Sequence, residues 1–168
     1  MQVVLYMAVV VVRNLKKGEV AKKELEETTG KKIFEVLEID VSSVQSAHAA
    51  VARVDGPLDA LVMNAGGMGG KSPLSNTKYG VLEIVAQNLI GHVALVEELI
   101  QHDKLSGVVI YAGSEAARGV KKFGIPKPKF TTASVEEFEK VLSGSFFDKN
   151  IDPMIVYAYV KHVAALWM

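Results

Sequence analysis

The 168 residues carry 19 basic and 19 acidic side chains and no cysteine. A formal charge of zero gives no general pull towards nucleic acid or an anionic membrane, and the lack of cysteine excludes disulfides, a thiol nucleophile and thiolate metal sites. With 49 % of residues hydrophobic and 23 % charged, the composition suits one globular domain over residues 1–168, in the reducing cytoplasm.

Residues 3–12 form a continuous apolar run rich in valine, which favours a strand buried on both faces. As a helix the run is too short to cross a bilayer. Its positive residues, Arg13, Lys16 and Lys17, follow the apolar stretch, whereas a signal peptide places them before it. Asn14 caps the next helix and Gly30 ends it. Val20, Ala21 and Leu25 share its inner face, and Glu19 can pair with Lys23 on the outer one. Residues 33–41 are a second strand. Ser42 and Gln45 form a capping box for a helix whose buried stripe is Val44, Ala47, Val51 and Val54. Residues 58–63 are a third strand, which leads into a glycine-rich turn.

A long helix is expected over residues 78–102, with Val81, Val85, Leu89, Val93, Val96 and Ile100 as its apolar ridge. Gly91 inside it costs about 1 kcal/mol relative to alanine, so a close contact is expected there. Residues 107–112 are a fourth strand. Residues 118–150 break the rhythm: Pro126 and Pro128 stand among lysines, which read as a solvated loop, and Ser134 with Glu137 starts a short helix. Asp152 and Pro153 open a last helix. Strands alternating with helices predict a doubly wound parallel sheet of the Rossmann-like α/β class.

Tyr157 and Lys161 lie four apart, on one face of the last helix. A lysine ammonium beside a phenol favours the phenolate, which allows a proton to pass to or from a substrate oxygen. Asn64, Ala65 and Gly66 end the third strand, and Gly113 and Ser114 follow the fourth; ligands bind at such carboxyl ends in parallel sheets. Asn88 sits inside the long helix. His48, His92, His102 and His162 show no ligand spacing, so core or surface roles are expected for them rather than metal binding.

In this order the segments resemble the short-chain dehydrogenase/reductase family. The strand ending Met63-Asn64-Ala65-Gly66, the helix with Asn88, the Ser114 that follows Val108 to Gly113, and Tyr157-x-x-x-Lys161 match its motifs, and Asp40-Val41 resembles its acidic residue near the adenine. The resemblance implies a nicotinamide-dependent oxidoreductase acting on a small alcohol or carbonyl compound. It makes Tyr157 the general acid/base and lets Lys161 stabilise the ionised phenol and hold the nicotinamide ribose. Ser114 would bond the substrate oxygen, and Asn88 would hold a water linking Lys161 to solvent. Asn64, Ala65, Gly66, Asp40 and Val41 would line the cofactor cleft. Family members often pair through the helices that here carry Asn88 and Tyr157, which implies a possible homo-oligomer.

The departures also carry expectations. Nothing before Arg13 matches the family's glycine-rich turn, and the chain stops within the tyrosine helix, so the fold is expected to be truncated at both ends. The family's first strand would lie between residues 3–12 and 58–63; direct pairing of those two would give the order 2-1-3-4. Ser114 and Tyr157 are 43 positions apart, more than is usual, and the excess forms the proline-lysine segment, which is expected to cover the substrate pocket. Arg13 stands where enzymes preferring the unphosphorylated cofactor place an acid, so NADP is expected over NAD. Two other readings compete. The missing glycine turn suits an inactive remnant of the fold. Residues 65–72, Ala-Gly-Gly-Met-Gly-Gly-Lys-Ser, approach a phosphate-binding loop, but Ala65 stands where the pattern needs glycine and no helix follows at once.

Overall fold

The computed structural model describes residues 7–168; residues 3–6 of the expected opening strand lie outside them. The order is β1 (Ala8–Val12), α1 (Leu15–Thr29), β2 (Phe34–Glu38), α2 (Val44–Val51), β3 (Leu58–Met63), α3 (Glu83–Val85), a π turn (Ala86–Ile90), α4 (Gly91–Gln101), β4 (Leu105–Tyr111), α5 (Val135–Ser143) and α6 (Pro153–Trp167). Among the described residues no helix is long and apolar enough to cross a membrane.

The caps follow from the side chains. Asn14 Oδ1 accepts the N–H of Lys17 at 3.1 Å, and Asp152 Oδ1 accepts that of Met154 at 2.7 Å. At the start of α2 the expected capping box is displaced by one residue. Asp40 Oδ1 takes both the N–H and the hydroxyl of Ser42, so Ser43 is left to cap the helix at Ser46 N. The long helix begins at Glu83 rather than Lys78 because the preceding residues close a turn instead, with Thr77 N donating to Val81 O at 2.7 Å. The face expected to bury Val20 and Leu25 is open: Val20 is 59 % exposed. Helix α1 meets its strands at Gly18, where a Cβ would stand 2.6 Å from Val36 and 2.7 Å from Val12. Lys23 pairs with Glu27, not Glu19.

The strands form two parallel pairs, β1 with β2 and β3 with β4. The expected pairing of residues 3–12 with 58–63 is not made among the described residues, so one continuous sheet in the order 2-1-3-4 is not confirmed; the strands stand as two separate ladders. The helices explain the spacing. Leu37 and Ile39 of the first pair, Leu58, Leu61 and Leu105 of the second, and Ala47, Val51, Leu95 and Leu99 of α2 and α4 share one core. Helix α4 also rests directly on the exit of β2: a Cβ at Gly91 would overlap the carbonyl of Val41. This is the close contact expected of that glycine. Both pairs are therefore held by the same two helices, each about 10 Å wide with its side chains, and closing the strands to ladder distance (about 4.8 Å) would unseat that packing.

Among the described residues an open slot separates β1 from β3 and leaves one edge of each without a strand partner. Ala8 N donates to Ile33 O and Val12 O accepts from Ile39 N, so Val9 and Val11 turn their peptide groups to the other edge. Met63 O accepts from Ala112 N, which turns Ala60 and Val62 the same way on β3. The amides of Val9, Val11, Ala60 and Val62 should exchange with solvent on the order of tenfold or more faster than those of Val10, Val12, Leu61 and Met63. Hydrogen exchange followed by NMR checks this; equal protection on both edges would mean that the slot is closed by pairing.

Candidate functional site

The carboxyl ends of β3 and β4 meet the π turn and α6 around two buried polar side chains, Asn88 and Lys161. Asn88 acts as a bracket. Its Nδ2 donates to Gly67 O at 2.7 Å and to Ile84 O at 2.8 Å, while its Oδ1 accepts Gly67 N at 3.3 Å. Both main-chain polar groups of Gly67 are thus bound to the helix, which fixes the turn after β3. The helix widens at the same place: Gly91 N–H reaches back five residues to Ala86 O. A Cβ at Gly66 would press on Asn88 Oδ1 and stand 3.8 Å from Lys161 Nζ, so the strand end, the bracket and the lysine converge.

Lys161 is 4 % exposed. Its Nζ donates to Tyr111 Oη and to Ala112 O, each at 3.0 Å, and lies 5.8 Å from the Tyr157 ring centre. Burial lowers its pKa, because the charged form loses hydration. Tyr111 Oη in turn donates to Asn88 O at 3.2 Å. Burial first, and then the neighbouring Tyr157, push the Tyr111 phenol up to about 12. His92, one turn after Asn88 and 2 % exposed, donates from Nε2 to Ala65 O at 2.7 Å and stands edge-on to Tyr111. Its Nδ1 is buried and has no hydrogen-bond partner among the described residues.

Tyr157 is half-buried between two apolar clusters, one with Leu82 and Val156 and the other with Val120, Ile125 and Ala158. The second cluster brings the proline-lysine segment against it. Tyr159, two residues further on, is engaged elsewhere: its phenol donates to Lys129 O at 3.0 Å and accepts Lys129 N at 3.1 Å, within a group that includes Phe130, Phe146 and Phe147. Glu137 anchors the same segment through the N–H groups of Thr131, Thr132 and Ala133 and the Thr132 hydroxyl, which hold its carboxyl down at about 2. Ser114 caps the short turn that follows it, accepting Ala116 N at 3.3 Å.

Three other expected site residues lie at the ends of β1 and β2. Arg13 borders a cavity of about 710 Å³ with Ser42, Ser43, Gln45, Lys78, Tyr79 and Gln87. Asp40 faces Arg13, but its carboxyl is held below the usual range chiefly by the Ser42 hydroxyl, with burial opposing. Val41 meets Gly91. Asn64, Ala65 and Gly66 form an exposed rim. A phosphate at the glycine run would meet the Glu83 carboxylate, which fills the space beside Gly70. The sequence marked no site role for Tyr111 and only a core or surface role for His92, which is buried. The available signal was position: Tyr111 lies three residues before Ser114, and His92 four residues, about one helical turn, after Asn88.

Comparison with known proteins places this geometry in context. The short chain dehydrogenase family model matches residues 5–151. No curated protein matches. A putative uncharacterized protein from Mycobacterium paratuberculosis is 25 % identical with a TM-score of 0.64 over 91 % of this chain and 47 % of its own. A 7 alpha-hydroxysteroid dehydrogenase complexed with NADH and 7-oxo glycochenodeoxycholic acid is 20 % identical with a TM-score of 0.62 over 96 % and 52 %. A gluconate 5-dehydrogenase from Burkholderia cenocepacia, in complex with NADP and tartrate, is 20 % identical with a TM-score of 0.57 over 94 % and 52 %. The chain spans about half the length of these structures.

His92 gives the site a pH signature. Burial lowers its pKa, the Ala65 carbonyl opposes that, and Lys161 lowers it further. The folded value is thus below the unfolded value of about 6.5. Between the two the unfolded chain binds more protons, so this part of the stability is present above pH of about 6.5 and is lost as pH falls through the folded pKa. Urea midpoints of the unmutated chain should fall more steeply below pH 6.5 than those of His92→Gln. Parallel pH profiles would contradict this assignment.

Proposed function

The chain belongs to the short-chain dehydrogenase family, and from that premise we propose that it is the acid/base and ribose-binding part of a nicotinamide-dependent reductase or dehydrogenase of small alcohols and carbonyl compounds. The observation that carries the reading is the buried Lys161 ammonium beside Tyr157, at the carboxyl ends of β3 and β4. An ammonium has three donors; Tyr111 and Ala112 take two of them, leaving one for Tyr157 or a ribose hydroxyl. Tyr157 would hold or release the proton of the substrate oxygen, with Ser114 as its partner in orienting that oxygen. When bound, the nicotinamide supplies or accepts the hydride. Asn64, Ala65 and Gly66 would flank it.

The fit differs along the cofactor. Lys161 suits the ribose end. Arg13, Ser42, Gln45 and Lys78 around their cavity suit an adenosine carrying a 2′-phosphate, since an arginine can grip a phosphate with paired hydrogen bonds. Asp40 and Val41 belong to the same end. Between these ends, among the described residues, no glycine turn opening a helix offers donors to the diphosphate. With that and the open slot, cofactor binding by this chain alone is expected to be weak.

Arg13→Ala should weaken binding of NADPH by roughly tenfold or more and leave NADH binding unchanged, as read by cofactor fluorescence. Equal effects on both would remove the preference for the phosphorylated form. Where carbonyl reduction is detected, Tyr157→Phe should lower it by about a hundredfold or more with cofactor binding retained, and Lys161→Ala should impair both. Unchanged turnover in Tyr157→Phe would end the proposal.

A further inference from the structure

We infer that Tyr111 is a positioning residue of this site: its phenol ties the Lys161 ammonium to the main-chain carbonyl of Asn88 and so sets where that charge stands. The inference rests on the role proposed for Lys161. The two bonds run in one direction. Lys161 Nζ donates to Tyr111 Oη at 3.0 Å, and Tyr111 Oη donates to Asn88 O at 3.2 Å. An ammonium has donors only and a carbonyl accepts only, so the phenol between them has a single hydrogen-bonding sense. Its proton is committed to Asn88, and its oxygen faces the lysine.

The anchor is rigid at its far end. Asn88 is fully buried and clamps Gly67 through its own side chain, and Tyr111 closes β4 in register with Met63 of β3. The line therefore couples the loop after β3, the π turn and the end of β4 to one nitrogen on α6. The groups facing Lys161 are Tyr111 on β4, His92 on α4 and Tyr157 on its own helix. None is a carboxylate, so hydrogen bonding rather than ion pairing has to hold the ammonium. Tyr111 keeps its proton through the neutral range, because burial and Tyr157 raise its pKa. It is thus no rival to Tyr157 as a base.

The test is a lysine titration of the 168-residue chain with the side-chain ε-carbons labelled, Lys161 being assigned through Lys161→Arg. In Tyr111→Phe the ring and its packing stay but one of two protein acceptors is gone, so the pKa of Lys161 should fall by about one to two units below that of the unmutated chain. An unchanged titration would reduce Tyr111 to packing and overturn the inference. If Tyr111→Phe fails to fold, the unmutated chain decides: Nζ protons of Lys161 that exchange slowly and show proximity to Tyr111 uphold the line, and exchange as fast as that of an exposed lysine overturns it. Neither readout needs cofactor or turnover. A shifted Lys161 with no effect of Tyr157→Phe on turnover sinks the reductase reading alone; an unshifted Lys161 with a Tyr157-dependent reaction sinks the role of Tyr111 alone.

Discussion

A lysine ammonium that is 4 % exposed must find its acceptors inside the protein, and that requirement organises the centre of this molecule. Tyr111 and Ala112 can answer Lys161 only because β4 ends beside α6. Strand β4 is placed by β3, and the turn after β3 is held by Asn88. The widened helical turn at residues 86–90 puts the Asn88 side chain on Gly67 and its carbonyl on Tyr111 at once. Each of these contacts is modest alone, about 1 kcal/mol for a neutral hydrogen bond. Their value lies in sharing partners, so that no member can move without uncovering a buried polar group.

The second constraint is the spacing of the strand pairs. Helices α2 and α4 reach both ladders, and α4 is in backbone contact with the end of β2 at Gly91. The helical layer therefore carries the geometry of a wider sheet than the described strands fill. The face of the second pair away from these helices shows the consequence, with Val62, Val108 and Ile110 exposed. The site at Lys161 does not depend on the slot being filled, because its elements all belong to the β3–β4 side. The cavity bordered by Arg13 lies at the ends of the β1–β2 pair, and a ligand spanning both halves would bridge the two.

The elements with strong local signals were legible in the sequence. Asn14, Gly30, Asp152 and Pro153 mark helix ends by their own chemistry, and Gly91 announced a close approach through its cost within a helix. What the sequence concealed depends on competition between neighbours. Ser42 was drawn to Asp40 and could not cap. Val20 fits an inward stripe by period, yet α1 turns Gly18 to the strands. Strand order was hidden because an apolar run tells that a strand is buried, not beside what. In the site, the spacing of Tyr157 and Lys161 and the placement of Asn88 could be read, since helical periodicity fixes faces. Tyr111 and His92 could not, since their roles arise only when β4 and α4 are brought together.

We propose that the site formed by Lys161 and Tyr157 accepts the nicotinamide ribose, independently of how the rest of the cofactor is held. Reduced nicotinamide mononucleotide tests it most directly, because it carries that half alone and needs neither a diphosphate-binding turn nor Arg13. Titrated into the labelled chain and followed by NMR, it should shift the resonances of Lys161, Tyr157, Ser114 and residues 64–66 together, with one saturation curve. Shifts absent from Lys161 and Tyr157, or centred on residues 67–72 instead, would contradict the account.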